Sequence, residues 1–128
     1  MNINQLRIIW TAIFLSTFVY AVIAWSSLHN GYVRDFGQEL RQPMVLGLYG
    51  LCVVETIAAF VIGGLVMRSR GYRIGFIVRL ALIESGCIVG LLAAFLLQDW
   101  RLYLGPWALG VLAFLRALPE RERPELMP

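Results

Sequence analysis

The sequence is expected to fold as an all-α, four-transmembrane-helix integral membrane bundle with a central antiparallel hairpin. Three observations point there. Apolar residues make up 59% of the chain and charged residues only 15%. Mean hydropathy is +0.73. The charges are gathered into short stretches between long apolar runs, whereas a typical soluble chain is about 25% charged throughout. A water-soluble core built from 128 residues could not hide that much apolar surface. A bilayer can.

The first apolar run, Ile8 to Trp25, carries no charge and is long enough to span a hydrocarbon core of about 30 Å. Its apolar stretch exceeds that of a cleaved signal peptide and lacks a small-x-small cleavage site, so a retained helix is expected. Residues 26–43 form the one long polar connection. There Val33, Phe36 and Leu40 recur at helical spacing opposite Arg34, Asp35, Gln38, Glu39 and Arg41. That pattern suits either a short helix at the membrane surface or a loop with one helical turn. The second and third runs, Met44 to Met67 and Ile74 to Leu97, flank a basic turn at 68–73 and form an antiparallel hairpin. The fourth run begins at Leu102, opens with Gly105-Pro106 and reaches spanning length only if it continues to Leu118. Residues 1–118 are thus expected to be one transmembrane domain, with helices at about 8–25, 44–67, 74–97 and 102–118. Residues 119–128, rich in Glu, Arg and Pro, form a polar tail.

All eleven basic residues are arginine. Arg7 precedes the first helix, Arg68, Arg70 and Arg73 occupy the middle turn, and Arg116, Arg121 and Arg123 follow the fourth helix. The other two connections are balanced by Asp35, Glu39 and Asp99. Positive residues favour the cytoplasmic side, which predicts both termini in the cytoplasm of a bacterial inner membrane. Trp25, Tyr49, Trp100, Tyr103 and Trp107 then gather at the outer interface as an aromatic belt. The arginines form no stripe interleaved with exposed aromatics, so no nucleic acid is expected. No phosphate loop, Ser-His-Asp set or HExxH motif occurs, and neither an enzyme nor a cofactor is expected. Cys52 and Cys87 lie in apolar runs, more as packing residues than as metal ligands.

Glu55 and Glu84 fall in the middle of the two hairpin runs. Folding the hairpin about its basic turn places them at one depth. A charge there is costly, and such groups usually face a bundle interior or a water-filled path. Each is followed by a hydroxyl residue, Thr56 or Ser85. Gly86, Gly90 and Ala94 form one stripe of small residues and Cys52, Thr56, Ala59 and Gly63 another, and such stripes let helices approach closely. The constellation suggests a proton- or cation-binding site at Glu55, Glu84, Thr56 and Ser85. Arg79, five residues before Glu84, either pairs with it or snorkels to the cytoplasmic face.

The stretch Ala81 to Leu97, with Glu84 followed six residues later by Gly90, resembles the carboxylate helix of the proteolipid (c-type) rotor subunits of rotary ATPases. Val54-Glu55-Thr56 is a weaker echo of Ile83-Glu84-Ser85. The resemblance implies that Glu84 is a reversible proton or sodium carrier facing a neighbouring subunit. The glycine-rich inner helix of that family is missing here. Small multidrug exporters are similar in helix count but carry their key acid in the first helix, where this chain has none.

Two functions follow. In one, the acids bind or relay protons or cations within a homo-oligomer or a larger membrane complex. In the other, the chain is a non-catalytic accessory subunit whose acids are structural. The lipid bilayer is a partner in both.

Overall fold

The structure, a computed structural model, describes residues 3–29, 38 and 41–119. Hydrocarbon offers no water to backbone N–H and C=O groups, so an apolar run closes its hydrogen bonds on itself as a helix. The chain forms α1 (Ile3–Leu28), α2 (Pro43–Arg70), α3 (Tyr72–Leu97), a 3-10 turn (Trp100–Tyr103) and α4 (Leu104–Arg116). No strand occurs among the described residues. The first three helices, of 26, 28 and 26 residues, are long and apolar enough to cross a membrane. The amphipathic pattern at Val33, Phe36 and Leu40 and the tail from 120 onward lie outside the described residues.

The hairpin is tighter than the expected turn at 68–73. Arg68, Ser69 and Arg70 complete α2, and Tyr72 and Arg73 already belong to α3. Basic side chains in a last helical turn are favoured by the partial negative charge of the helix end. Only Gly71 is left to reverse the chain, at φ 100 and ψ 159. That backbone region is open essentially to glycine alone.

Below the turn, α2 and α3 touch backbone to backbone. A Cβ on Gly75 would lie 2.5 Å from the Met67 nitrogen and 2.6 Å from the Gly63 carbonyl oxygen. Cys52 Sγ donates to the Gly86 carbonyl at 3.1 Å further along. Gly63 and Gly86 therefore pack the hairpin as their spacing suggested, while Gly75 was not anticipated. Gly90 turns instead to α4, where Pro106 fills the space a side chain would take. Ala94 is buried in the cluster that joins Ala24, Leu28, Leu97 and Leu102.

α3 is the hub, packing against α2, α1, α4 and the 3-10 turn. α1 runs parallel to it and α4 antiparallel. One apolar cluster near the hairpin tip joins Leu6, Phe76, Leu80, Phe114 and Ala117, and a second gathers at the opposite end. Ile8, Val22, Val54 and Leu112 are more than half exposed, on faces suited to lipid.

The fourth helix differs from the single element expected at 102–118. Gln98, at φ 56, ends α3 in a left-handed cap, with Asp99 N–H donating to the Ala94 carbonyl at 3.0 Å. Buried Asp99 then accepts from the Arg101 backbone N–H at 3.0 Å and pairs with its guanidinium at 2.7 Å. This cap starts the 3-10 turn, and α4 follows with Pro106 in its first turn, where no helical partner for an N–H is needed. At 13 residues α4 is about 20 Å long, short of a hydrocarbon core on its own. With the 3-10 turn it runs along α1 from Tyr103, bonded to Thr17, to Phe114, bonded to Trp10.

Gly71→Ala is expected to lower the stability of the detergent-solubilised protein by about 1–3 kcal/mol through backbone strain alone. Gly50→Ala, in a helix with nothing within 4 Å of the added carbon, is the control of opposite sign and is expected to stabilise by about 0.5–1 kcal/mol. Thermal or denaturant unfolding followed by circular dichroism reads both.

Candidate functional site

The hairpin register sets the depth of both acids. Cys52 meets Gly86, Ala59 meets Arg79 and Met67 meets Gly75, so Glu55 is level with Glu84 and Ser85. Depth is shared, but direction is not. Gly86 faces α2, and Glu84, two residues earlier, lies about 200° around the helix. Its carboxylate therefore leaves the hairpin and meets α1.

There Glu84 Oε1 receives two hydroxyl groups. Tyr20 OH donates to it at 2.9 Å and Ser16 Oγ lies at 3.0 Å. The two residues are four apart, one helical turn, so α1 presents both on one face. Ser16 Oγ also reaches the Ile13 carbonyl oxygen of its own helix. A serine hydroxyl has one proton for these two acceptors. With Glu84 ionised, Ser16 and Tyr20 both donate to Oε1. With Glu84 protonated, its O–H donates to Ser16 Oγ, Ser16 turns its proton to the Ile13 carbonyl, and Tyr20 still donates to Oε1. In either arrangement Oε1 keeps both hydroxyl contacts with no heavy atom moved.

Further bonds from α1 flank this cluster. Tyr103, 1% exposed, donates from its hydroxyl to the Thr17 carbonyl at 2.9 Å. Thr17 Oγ1 donates to the Phe14 carbonyl at 2.7 Å. Nearer the hairpin tip, Trp10 Nε1 donates to the Phe114 carbonyl at 3.0 Å. Tyr103 is thus an interior strut rather than a member of an aromatic belt. Tyr49 likewise turns inward, its hydroxyl bonded to the Leu102 carbonyl.

The remaining candidates disperse. Thr56 Oγ1 donates to the Cys52 carbonyl at 2.8 Å, an ordinary back-bond within a helix. Arg79 extends across α2, donating to the Ala59 and Phe60 carbonyls at 3.4 and 3.3 Å, with its guanidinium carbon 4.8 Å above the Phe60 ring. Glu55 is half-buried, and its Oε2 is shielded from solvent without a hydrogen-bond partner. Ser85 lies on the flank of α3 away from α4. Cys52 bonds Gly86, and the Cys87 sulfur lies against Gly110. Both thiols are free and buried. Among the described residues no three of His, Cys, Asp and Glu converge as a metal site.

The sequence pattern singles out Glu84 but not its partners Ser16 and Tyr20. Their signal is two protic side chains one turn apart in a run free of charge, and local spacing does not say which helix they face.

A double-mutant cycle tests whether Tyr20 and Glu84 act as a unit. Tyr20→Phe and Glu84→Leu are expected to be non-additive, with a coupling of about 0.6–2 kcal/mol in denaturant unfolding in micelles. Tyr49→Phe, whose hydroxyl bonds elsewhere, should add independently to Glu84→Leu.

No protein family matches this chain, and no curated protein or solved structure shows significant similarity to it.

Proposed function

We propose that this chain is a four-span inner-membrane protein that reversibly binds a proton at Glu84, as part of an oligomer or a larger membrane complex. The observation that carries the reading is the three-oxygen cluster of Glu84, Ser16 and Tyr20 at the middle of α3. Glu84 is the thirteenth of 26 residues in that helix. An ionisable group at that depth is costly and is usually functional. Here the hydroxyls accept either state of the acid by rotating protons. A purely structural bond would not require that second arrangement.

The similarity of residues 81–97 to proteolipid rotor helices supports the same role for Glu84. Charge placement supports the topology. Arg7, Arg68, Arg70, Arg73 and Arg116 sit at the end of the bundle where Leu6, Tyr72 and Ala117 cluster. At the other end Arg101 is neutralised by Asp99. By the positive-inside rule the arginine-rich end, with both termini, faces the cytoplasm. The 3-10 turn and α4 together serve as the fourth span.

Dicyclohexylcarbodiimide, which reacts with protonated carboxyl groups in apolar surroundings, tests the proposal. Labelling mapped to Glu84 is expected to fall as pH rises and to vanish in Glu84→Gln. Competition by sodium would extend the site to cations. Labelling that does not vary with pH, or a Glu84 inert at every pH, would favour the accessory-subunit reading instead. Glu84→Gln is expected to lose the pH-dependent labelling while the protein still assembles.

A further inference from the structure

Five arginines gather at one end of the bundle. Arg68 and Arg70 end α2, Arg73 lies in the first turn of α3, Arg7 near the start of α1 and Arg116 at the end of α4. The described acids, Glu55, Glu84 and Asp99, lie at mid-depth or at the far end. Glu120, Glu122 and Glu125 follow α4 in sequence but alternate with Arg121 and Arg123, so the formal balance at this end stays positive. Beside Arg7 the outward face of α1 is shaped. Leu6, Trp10, Ile13 and Phe14 pack inward, while on the opposite side Arg7, Ile8, Thr11, Ala12 and Leu15 line a shallow groove. Ile8 and Leu15 are well exposed, with the shorter Thr11 and Ala12 between them. From Arg7 to Leu15 the groove runs about 12 Å along the helix.

A cation at the mouth, with short or apolar side chains beyond it, matches an amphiphile with an anionic head. Helix side chains lean towards the N-terminus, so Arg7 carries its guanidinium to headgroup level at the mouth of the groove. A guanidinium pairs with a phosphate diester through two parallel N–H bonds. We propose that this groove binds an anionic phospholipid, with its phosphate on Arg7 and one acyl chain along Ile8, Ala12 and Leu15. The neighbouring arginines concentrate the same lipids at this end, each basic residue near the surface being worth about five-fold in affinity. A zwitterionic headgroup brings its own cation against the cluster and is disfavoured. A free anion leaves the apolar part of the groove uncovered. The proposal does not rest on the role of Glu84, whose partners Ser16 and Tyr20 face α3 from the other side of α1.

Native mass spectrometry of the full chain in a neutral detergent tests it, with phosphatidylglycerol and phosphatidylcholine of the same acyl chains as probes. Phosphatidylglycerol is expected to bind at least about five-fold more tightly than phosphatidylcholine. Arg7→Gln should weaken phosphatidylglycerol about five-fold and leave phosphatidylcholine unchanged. Ala12→Phe, which fills the groove on an exposed helix face, should lower the retention of phosphatidylglycerol with Arg7 still in place. Arg41→Gln, exposed beside the start of α2 at the far end, should change nothing and controls for general loss of charge. Equal binding of the two lipids, no effect of Arg7→Gln, an equal effect of Arg41→Gln, or displacement of the lipid by inorganic phosphate would each overturn the proposal. A dimer that is lost on Ala12→Phe, with no lipid bound, would assign the groove to a second copy and overturn it as well.

Discussion

The close approach of α2 and α3 governs the rest of the structure. Where Gly63, Gly75 and Met67 meet, there is no room for a single added carbon, so the two helices cannot slide past one another. That contact fixes the register, and the register fixes the depth of Glu55 and Glu84. Because α2 occupies one side of α3, the rest of α3 is left for α1 and α4. Gly90 and Gly110 repeat the device on the α4 side, each receiving a neighbour where a Cβ would stand.

Within a bilayer, apolar contact between helices adds little, since lipid is as apolar as leucine. The bonds that locate α1 are accordingly polar. Trp10 reaches the Phe114 carbonyl, Tyr103 reaches the Thr17 carbonyl, and Tyr20 and Ser16 reach Glu84. They are distributed along the helix, so α1 is held at several depths. The aromatic contacts of Phe14 with Trp10 and Phe114, and of Phe18 with Trp107, fill the spaces between these bonds. Glu84 is thus the acceptor that fastens α1 to the hub, through Ser16 and Tyr20.

Much of the fold was legible from hydropathy. Three apolar runs became three helices, and the level placement of Glu55 and Glu84 followed from symmetry about the basic turn. The helix ends were less legible, because a helix does not stop where its apolar run stops. Arg68 to Arg70 stayed helical for electrostatic reasons, and Gly71 alone closed the hairpin. The last element was misjudged because a local cap, Asp99 on the Arg101 N–H, split it into a 3-10 turn and a short helix. Equal depth also suggested that the acids faced each other. Azimuth decides that, and two residues along a helix reverse it. The hydroxyls of Ser16 and Tyr20 come from a helix more than sixty positions away, a pairing that local spacing does not encode.

The one-residue connection at Gly71 bears on how the protein sits in its membrane. With no slack between α2 and α3, the two helices leave Gly71 side by side, so a membrane crossed by both holds the hairpin tip at one face and the far ends of both helices at the other. Neither helix can be withdrawn or turned over without carrying its neighbour along.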